Sequence, residues 1–149
     1  MDMLDLKILN ILQKNARVTV KQIAEDCFIS SPSVSTRLQN LENNGYVKSY
    51  QAIVDYQKLD FSIKSYIQCA VNAKMKNEFY DYVDSVPNVV ECDCITGDFS
   101  MLLKVFFVNT IELDEFINEL QRFGDTKTHI VFSTNVGPRG VEFNIDKDV

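Results

Sequence analysis

A chain of 149 residues with 46% apolar side chains has material for one ordinary domain or two small ones. No apolar run approaches the roughly 18 residues of a membrane span, and the start Met-Asp-Met-Leu-Asp lacks the basic and apolar regions of a signal peptide. A cytoplasmic protein with no membrane partner is therefore expected.

The net charge of −6 would disfavour nucleic acid if it were spread evenly, but it is not. The first fifty residues carry six basic and five acidic side chains, so the negative excess sits in the rest. Cys27, Cys69, Cys92 and Cys94 do not form a disulfide framework for this size and compartment. Cys92-x-Cys94 with one histidine in the chain is a poor zinc pattern, so no metal and no cofactor are expected, and the thiols read as small core groups.

In chain order, Asp5 to Asn15 reads as a first helix, with Leu4, Ile8, Ile11 and Leu12 at helical spacing. Asn15-Ala16-Arg17 breaks it. Thr19 caps a second helix whose Val20, Ile23, Ala24 and Cys27 form one apolar stripe. After the turn Phe28-Ile29-Ser30, a third helix is expected from an N-cap at Ser31, with Pro32 at the first helical position and Gly45 as its stop. Val34, Leu38 and Leu41 make its inner stripe. Its other faces carry Ser33, Ser35, Thr36, Arg37, Gln39 and Asn40, with no acidic residue before Glu42. Hydroxyls, amides and a guanidinium suit major-groove base edges and phosphates. Three short helices with a tight turn before the third are the pattern of a helix-turn-helix. Ser31, Ser33, Ser35, Thr36, Arg37, Gln39 and Asn40 are thus the candidates for contact with double-stranded DNA, and Lys14, Arg17, Lys21 and Lys48 those for its phosphates. The competing reading pairs Arg37 with Glu42 or Glu25. Tyr46 to Tyr56, rich in β-formers, reads as a wing or linker strand, with Lys48 and Tyr50 pointing the same way.

The second half changes character. Strands are expected at Tyr66 to Ala73, Val89 to Thr96, Met101 to Val108 (buried on both faces) and Lys127 to Thr134. Helices are expected at Asn77 to Val86 and Ile111 to Phe123, the latter ended by Gly124, with Asn135 to Val149 a tail. His129 reads as a partly buried strand residue. The order is β-α-β-β-α-β, a ferredoxin-like unit with two helices over one antiparallel sheet. The fold class is α+β, divided into a winged helix-turn-helix over 1–47, a linker strand over 48–62 and a ferredoxin-like domain over 63–149. The bare sheet face, expected to carry alternate apolar residues, needs cover, and a second copy predicts a homodimer. Paired reading heads also multiply a weak affinity.

Between the second and third strands, Thr96-Gly97-Asp98-Phe99-Ser100-Met101 offers backbone N–H groups, a carboxylate and an apolar wall for a small zwitterion. Thr126, Thr128, Ser133 and Thr134 add polar groups. An ordinary β-turn explains the same residues.

Asp5-x-x-Ile8-Leu9, Asn15-Ala16-Arg17, Ile23-Ala24, Ile29-Ser30, Val34-x-x-Arg37-Leu38-x-x-Leu41-Glu42 and Gly45-Tyr46-Val47 resemble the DNA-binding half of the Lrp/AsnC (leucine-responsive, or feast-famine) family of transcription regulators. Thr96-Gly97-Asp98-Phe99 with Leu102-Leu103 is similar to the turn of its effector-binding half, the RAM-type domain. The resemblance implies a regulator that dimerises through the second domain, assembles further to octamers, and responds to an amino acid bound between subunits near that turn. Two positions depart from the family pattern. Ser100 stands where an aspartate is usual, removing a carboxylate from the turn. Phe28 stands where glycine is common, which implies either a differently shaped turn or a phenylalanine in the core. A decarboxylase-like enzyme on the same scaffold lacks an assembled nucleophile and base in this chain, and a low-specificity architectural protein would want a more basic first half.

Overall fold

The computed structural model describes residues 1–145, so the last four positions of the expected tail lie outside the described residues. The chain divides into two compact units, 1–53 together with 136–149, and 54–135.

The first unit is built on three helices, α1 (Met3–Lys14), α2 (Val20–Cys27) and α3 (Ser31–Asn43). Helix α1 starts two residues earlier than its apolar spacing suggests because Asp2 and Asp5 form a reciprocal capping box. Each carboxylate accepts the other's backbone N–H at 2.9 Å. Thr19 caps α2, as expected. For α3 the cap is Ser30 rather than Ser31: Ser30 is extended, and its Oγ accepts the Ser33 N–H at 3.3 Å. Ser31 is the first helical residue and Pro32 the second, where a missing N–H costs nothing. Ile8, Leu9, Ile23, Ala24, Cys27, Val34 and Leu41 form the core, with Leu38 and Val47 packed against it.

Phe28 corrects both expectations for its turn. It adopts the left-handed conformation itself, at φ 57° and ψ 41°, and its ring lies 91% exposed. The turn keeps the glycine-like geometry with a residue that pays for it in strain. Tyr46 to Asp55 forms no strand, since no neighbouring strand offers it a ladder; a 3-10 turn follows at Tyr56–Leu59. The described tail residues from Val136 on belong with this unit. Asn10 exchanges two hydrogen bonds with the Phe143 backbone at 2.9 Å, Gln13 donates to the Val141 carbonyl, and Lys14 pairs with Glu142 at 2.9 Å.

The second unit holds β1 (Ile63–Cys69), α4 (Lys76–Ser85), β2 (Val89–Cys94), β3 (Met101–Phe107), α5 (Thr110–Leu120) and β4 (Thr126–Ile130). The sheet order is β2-β3-β1-β4 with every neighbour antiparallel, the ferredoxin-like arrangement. Its core stacks α4 and α5 on one sheet face through Ile67, Cys69, Phe79, Leu103, Val105, Leu120 and Phe123. The Phe79 and Phe123 rings meet edge to face at 5.5 Å, a contact worth about 0.5–1.5 kcal/mol beyond burial. Gly124 lets the turn after α5 pass the end of β1, because a Cβ there would strike the Ala70 carbonyl.

Strand β3 is not buried on both faces. Met101, Leu103, Val105 and Phe107 point inward, while Leu102, Lys104 and Phe106 are half-buried on the far face. That bare face is mixed rather than apolar. Cys94 and His129 are exposed, against the expectation of core thiols and a partly buried histidine. Cys69 fits it, fully buried, with burial and the nearby Cys92 and Asp125 pushing its thiol up to about 11. Among the described residues no helix is long and apolar enough to cross a membrane, and no cluster of metal-ligating side chains occurs.

Candidate nucleic-acid face and ligand turn

Helix α3 turns Val34 and Leu41 into the core and leaves Ser31, Ser35, Thr36, Gln39 and Asn40 exposed, with Ser33 half-buried. The hydroxyls are not equivalent donors. Ser35 Oγ donates to the Ser31 carbonyl at 3.1 Å and Thr36 Oγ1 to the Pro32 carbonyl at 3.0 Å. Each proton is spent on the helix, so both hydroxyls present acceptor lone pairs outward. Such a pair suits the amino groups of adenine or cytosine better than phosphate oxygens. Ser31 offers its carbonyl to Ser35, and its cap role passes to Ser30. Gln39 and Asn40 have side-chain amides with no partner among the described residues, leaving both donor and acceptor for a base edge.

Arg37 is placed differently from the competing ion-pair reading. It pairs with neither Glu42 nor Glu25. Its Nη1 bonds Asp5 Oδ1 at 2.6 Å and both oxygens of Asp2 at 2.8 and 2.9 Å. The Asp5 and Asp2 hydrogen bonds hold the guanidinium above its ordinary range. The Asp5 backbone N–H, followed by Arg37, holds the Asp2 carboxyl below the usual carboxylate range. Arg37 thus fastens α3 to the start of α1, with two carboxylates against its one charge. The Asp2-x-x-Asp5 spacing was the available signal, since it reads as a capping box.

The phosphate candidates separate. Arg17 and Lys48 are exposed, and their side chains have no partner among the described residues. Lys21 is exposed with only a 3.9 Å contact to Glu25. Lys14 is taken by Glu142. Tyr50, expected to point the same way as Lys48, is engaged within the chain: its hydroxyl donates to Glu42 at 2.7 Å, and burial, with that carboxylate, pushes the phenol up to about 12. Lys7, which the sequence did not single out, lies 5.6 Å over the Phe28 ring and donates to the Asp26 carbonyl.

In the second unit, the Ile95 N–H donates to the Ser100 carbonyl at 2.9 Å and closes the loop over Thr96 to Phe99. Gly97 takes φ 107°, with open space where a Cβ would stand. Asp98 is exposed, and no amide from Thr96 to Phe99 is donated within the described residues. Free N–H groups beside a carboxylate fit the two ends of a zwitterion. Ser100 is not a vacant substitute for an acid. Its Oγ accepts the Val71 N–H at 3.3 Å and ties the turn to the end of β1.

Some expected members of this site are absent from it. Met101 is fully buried in the core and offers the turn no apolar wall, while Phe99 is half-buried. Thr126 lies opposite Cys69 at the turn's end of the sheet, two strands away. Thr128 faces the helix layer opposite Ile67. Ser133 and Thr134 follow β4 at the opposite end, where Thr134 accepts from Lys64 at 3.0 Å. One subunit does not bring them to the turn.

Two family models match the chain: winged helix-turn-helix DNA-binding over residues 1–48, and the Lrp/AsnC ligand binding domain over 66–140. The transcriptional regulator LrpC of Bacillus subtilis is 31% identical over 137 residues, covering 89% of this chain and 92% of its own. The solved structure of LrpC superposes with a TM-score of 0.87 at 28% identity, over 93% of this chain and 99% of that one. A transcriptional regulator from Neisseria meningitidis, solved as its L-Met complex, shares the fold with a TM-score of 0.87 at 24% identity, over 98% of this chain and 97% of its own.

Proposed function

Because the chain belongs to the Lrp/AsnC family of helix-turn-helix transcription regulators, we propose a division of labour among its own residues. Gln39, Asn40, Ser35 and Thr36 read base edges in the major groove, and Arg17, Lys21 and Lys48 hold phosphates. Arg37 acts as a positioning residue that fixes α3 against α1. The observation carrying this reading is the exposed face of α3, where amides and acceptor hydroxyls stand free of any carboxylate before Glu42. The near-neutral charge of the first fifty residues supports modest affinity for each head, so two heads act together in a homodimer formed through the second unit, with octamers as the larger assembly. The protein works in the cytoplasm and carries out no catalysis.

The effector in this reading is an amino acid, the class that the Neisseria protein of the same fold binds as L-Met. The free amides and Asp98 of the 96–99 turn meet its two charged ends, and Phe99 lines its side chain.

A selection from a pool of random duplexes tests the DNA reading. Enrichment of one palindromic motif, lost in Gln39→Ala and Asn40→Ala, is expected. Tight binding without enrichment would make the protein an architectural one, and no binding would overturn the reading. A thermal-unfolding panel against each amino acid tests the effector. A ligand at 100 times its dissociation constant adds about 2.7 kcal/mol; no shift with any amino acid would remove that part.

A further inference from the structure

Strands β2 and β3 bring three sulfur-bearing side chains to one groove outside the turn already described. Cys92 and Cys94 stand two residues apart on β2, so both point to the helix side of the sheet. Met101, the first residue of β3, is the register partner of Cys94 and faces the same way. All three line a groove between β2 and α4. Asp81 and Asp84 of α4 form its other wall, and no lysine or arginine lines it. Cys94 is exposed, Cys92 half-buried and Met101 fully buried, so sulfur is offered from the mouth of the groove to its floor. The two thiols cannot pair with each other. Residues i and i+2 of a strand lie about 6.6 Å apart with parallel side chains, whereas a disulfide needs Cβ atoms about 3.8 Å apart. Cys69, beyond Met101 in the same row, is two strands away at about 9.6 Å and is also out of reach. A metal ion bridging two sulfurs needs them only about 4.6 Å apart, at about 2.3 Å for each metal–sulfur bond. Each Sγ of the β2 pair has to lean inward by about 1 Å to meet that span.

We propose that Cys92, Cys94 and Met101 form a binding site for a soft monovalent metal ion of the Cu(I) class. Thiolates and a thioether are the soft ligands that select such an ion. Zinc does not fit: among the described residues no three histidine, cysteine or carboxylate side chains gather to hold a metal, a set in which methionine sulfur does not count. The chain's one histidine, His129, shares a row with Tyr66 and Lys104 on the opposite sheet face. Binding displaces one proton from each thiol and involves no change of oxidation state. Burial, followed by Asp93 and Cys94, pushes the Cys92 thiol up, so protons compete with the ion and its affinity rises with pH. Asp81 and Asp84 raise the local concentration of cations at the mouth. The consequence lies in the adjoining loop. Cys94 and Met101 are the last facing pair of the two strands, and just beyond them the Ile95 N–H donates to the Ser100 carbonyl. An ion held by both residues clamps the base of the 96–99 loop. It therefore acts on the element proposed to meet the amino acid, without depending on that reading.

The test sets the full-length chain against the chromogenic chelator bicinchoninate for Cu(I), without oxygen and with ascorbate present. Thermal unfolding checks that each variant folds. One equivalent of Cu(I) per chain is expected, with the near-ultraviolet absorption of sulfur bound to Cu(I). Cys94→Ser changes an exposed residue and is expected to weaken binding by about a hundredfold, through loss of a thiolate. Met101→Leu keeps the core volume and is expected to weaken it by about tenfold. Cys27→Ala, in the first unit, is expected to bind like the parent. A parent chain that takes no Cu(I) from the chelator, or a Cys94→Ser variant that binds like the parent, overturns the site. Met101→Leu binding like the parent overturns the clamp on the loop, and a loss in Cys27→Ala places the ion elsewhere and overturns the assignment. The assay contains neither DNA nor an amino acid, so its failure leaves the function proposed above standing.

Discussion

Phe28 gives the sharpest energetic prediction because its strain and its ring can be separated. The residue ends α2 at φ 57° and ψ 41°, where an L side chain costs about 1–2 kcal/mol relative to the right-handed region. Phe28 is 91% exposed, and its ring lies 5.6 Å from the Lys7 ammonium, an exposed contact worth about 0.5–1 kcal/mol. Phe28→Ala removes the ring and keeps the strained backbone. Phe28→Gly removes both, at an extra unfolded-state entropy of about 0.5–1 kcal/mol. The ring cancels between the two variants, so glycine should be the more stable by about 0.5–1 kcal/mol. For a unit of this size that is a melting difference of about 2–8 °C, read from the helical circular-dichroism signal and from urea midpoints. The sign decides the matter. In an ordinary helical or extended position glycine would be less stable than alanine by a similar amount, and that order would refute the left-handed turn.

The remaining predictions concern a close approach and an acid-sensitive tie. Gly124→Ala drives a methyl into the Ala70 carbonyl of the adjoining chain, and backbone cannot retreat as a side-chain tip can; a loss of about 3 kcal/mol or more is expected in chemical denaturation, and a near-parental midpoint would contradict the turn. The Asp2 carboxyl is held below its unfolded value by the Asp5 N–H and Arg37, so its contribution is complete above about pH 4 and is lost as pH falls through the lower folded value. Melting of the first unit should therefore fall more steeply below pH 4 in the parent than in Arg37→Met, and parallel profiles would remove the tie. At neutral pH the same variant should cost about 1–2 kcal/mol, toward the low end for hydrogen bonds to charged groups because the Asp2 side chain is half-exposed.

The helices and strands were legible because each is written in local terms. Thr19, the apolar spacing of α2 and the stripe of Val34, Leu38 and Leu41 act within a few residues of one another, and so do the punctuating Gly97 and Gly124. The β-α-β-β-α-β order follows from such signals, and it nearly dictates which sheet face the helices cover. The polar face of α3 was legible for the same reason, since one helical stripe buried leaves the others exposed.

What the sequence left open depends on which distant groups meet. Arg37 has carboxylates at several separations, and only the packing of α1 on α3 selects Asp2 and Asp5 over Glu42 and Glu25. Lys14 looks free until the tail brings Glu142 to it. Ser133 and Thr134 share a strand region with Thr126, yet the sheet puts them at the other end from the turn. Met101 borders the turn in sequence and is buried in the core in space. By itself the sequence determined the elements, their order and the family, because propensity, capping and apolar periodicity are short-range. Only the tertiary structure decided which charges are spent internally and which face outward, because an ion pair is set by distance in space and by competition among partners that chain separation does not rank.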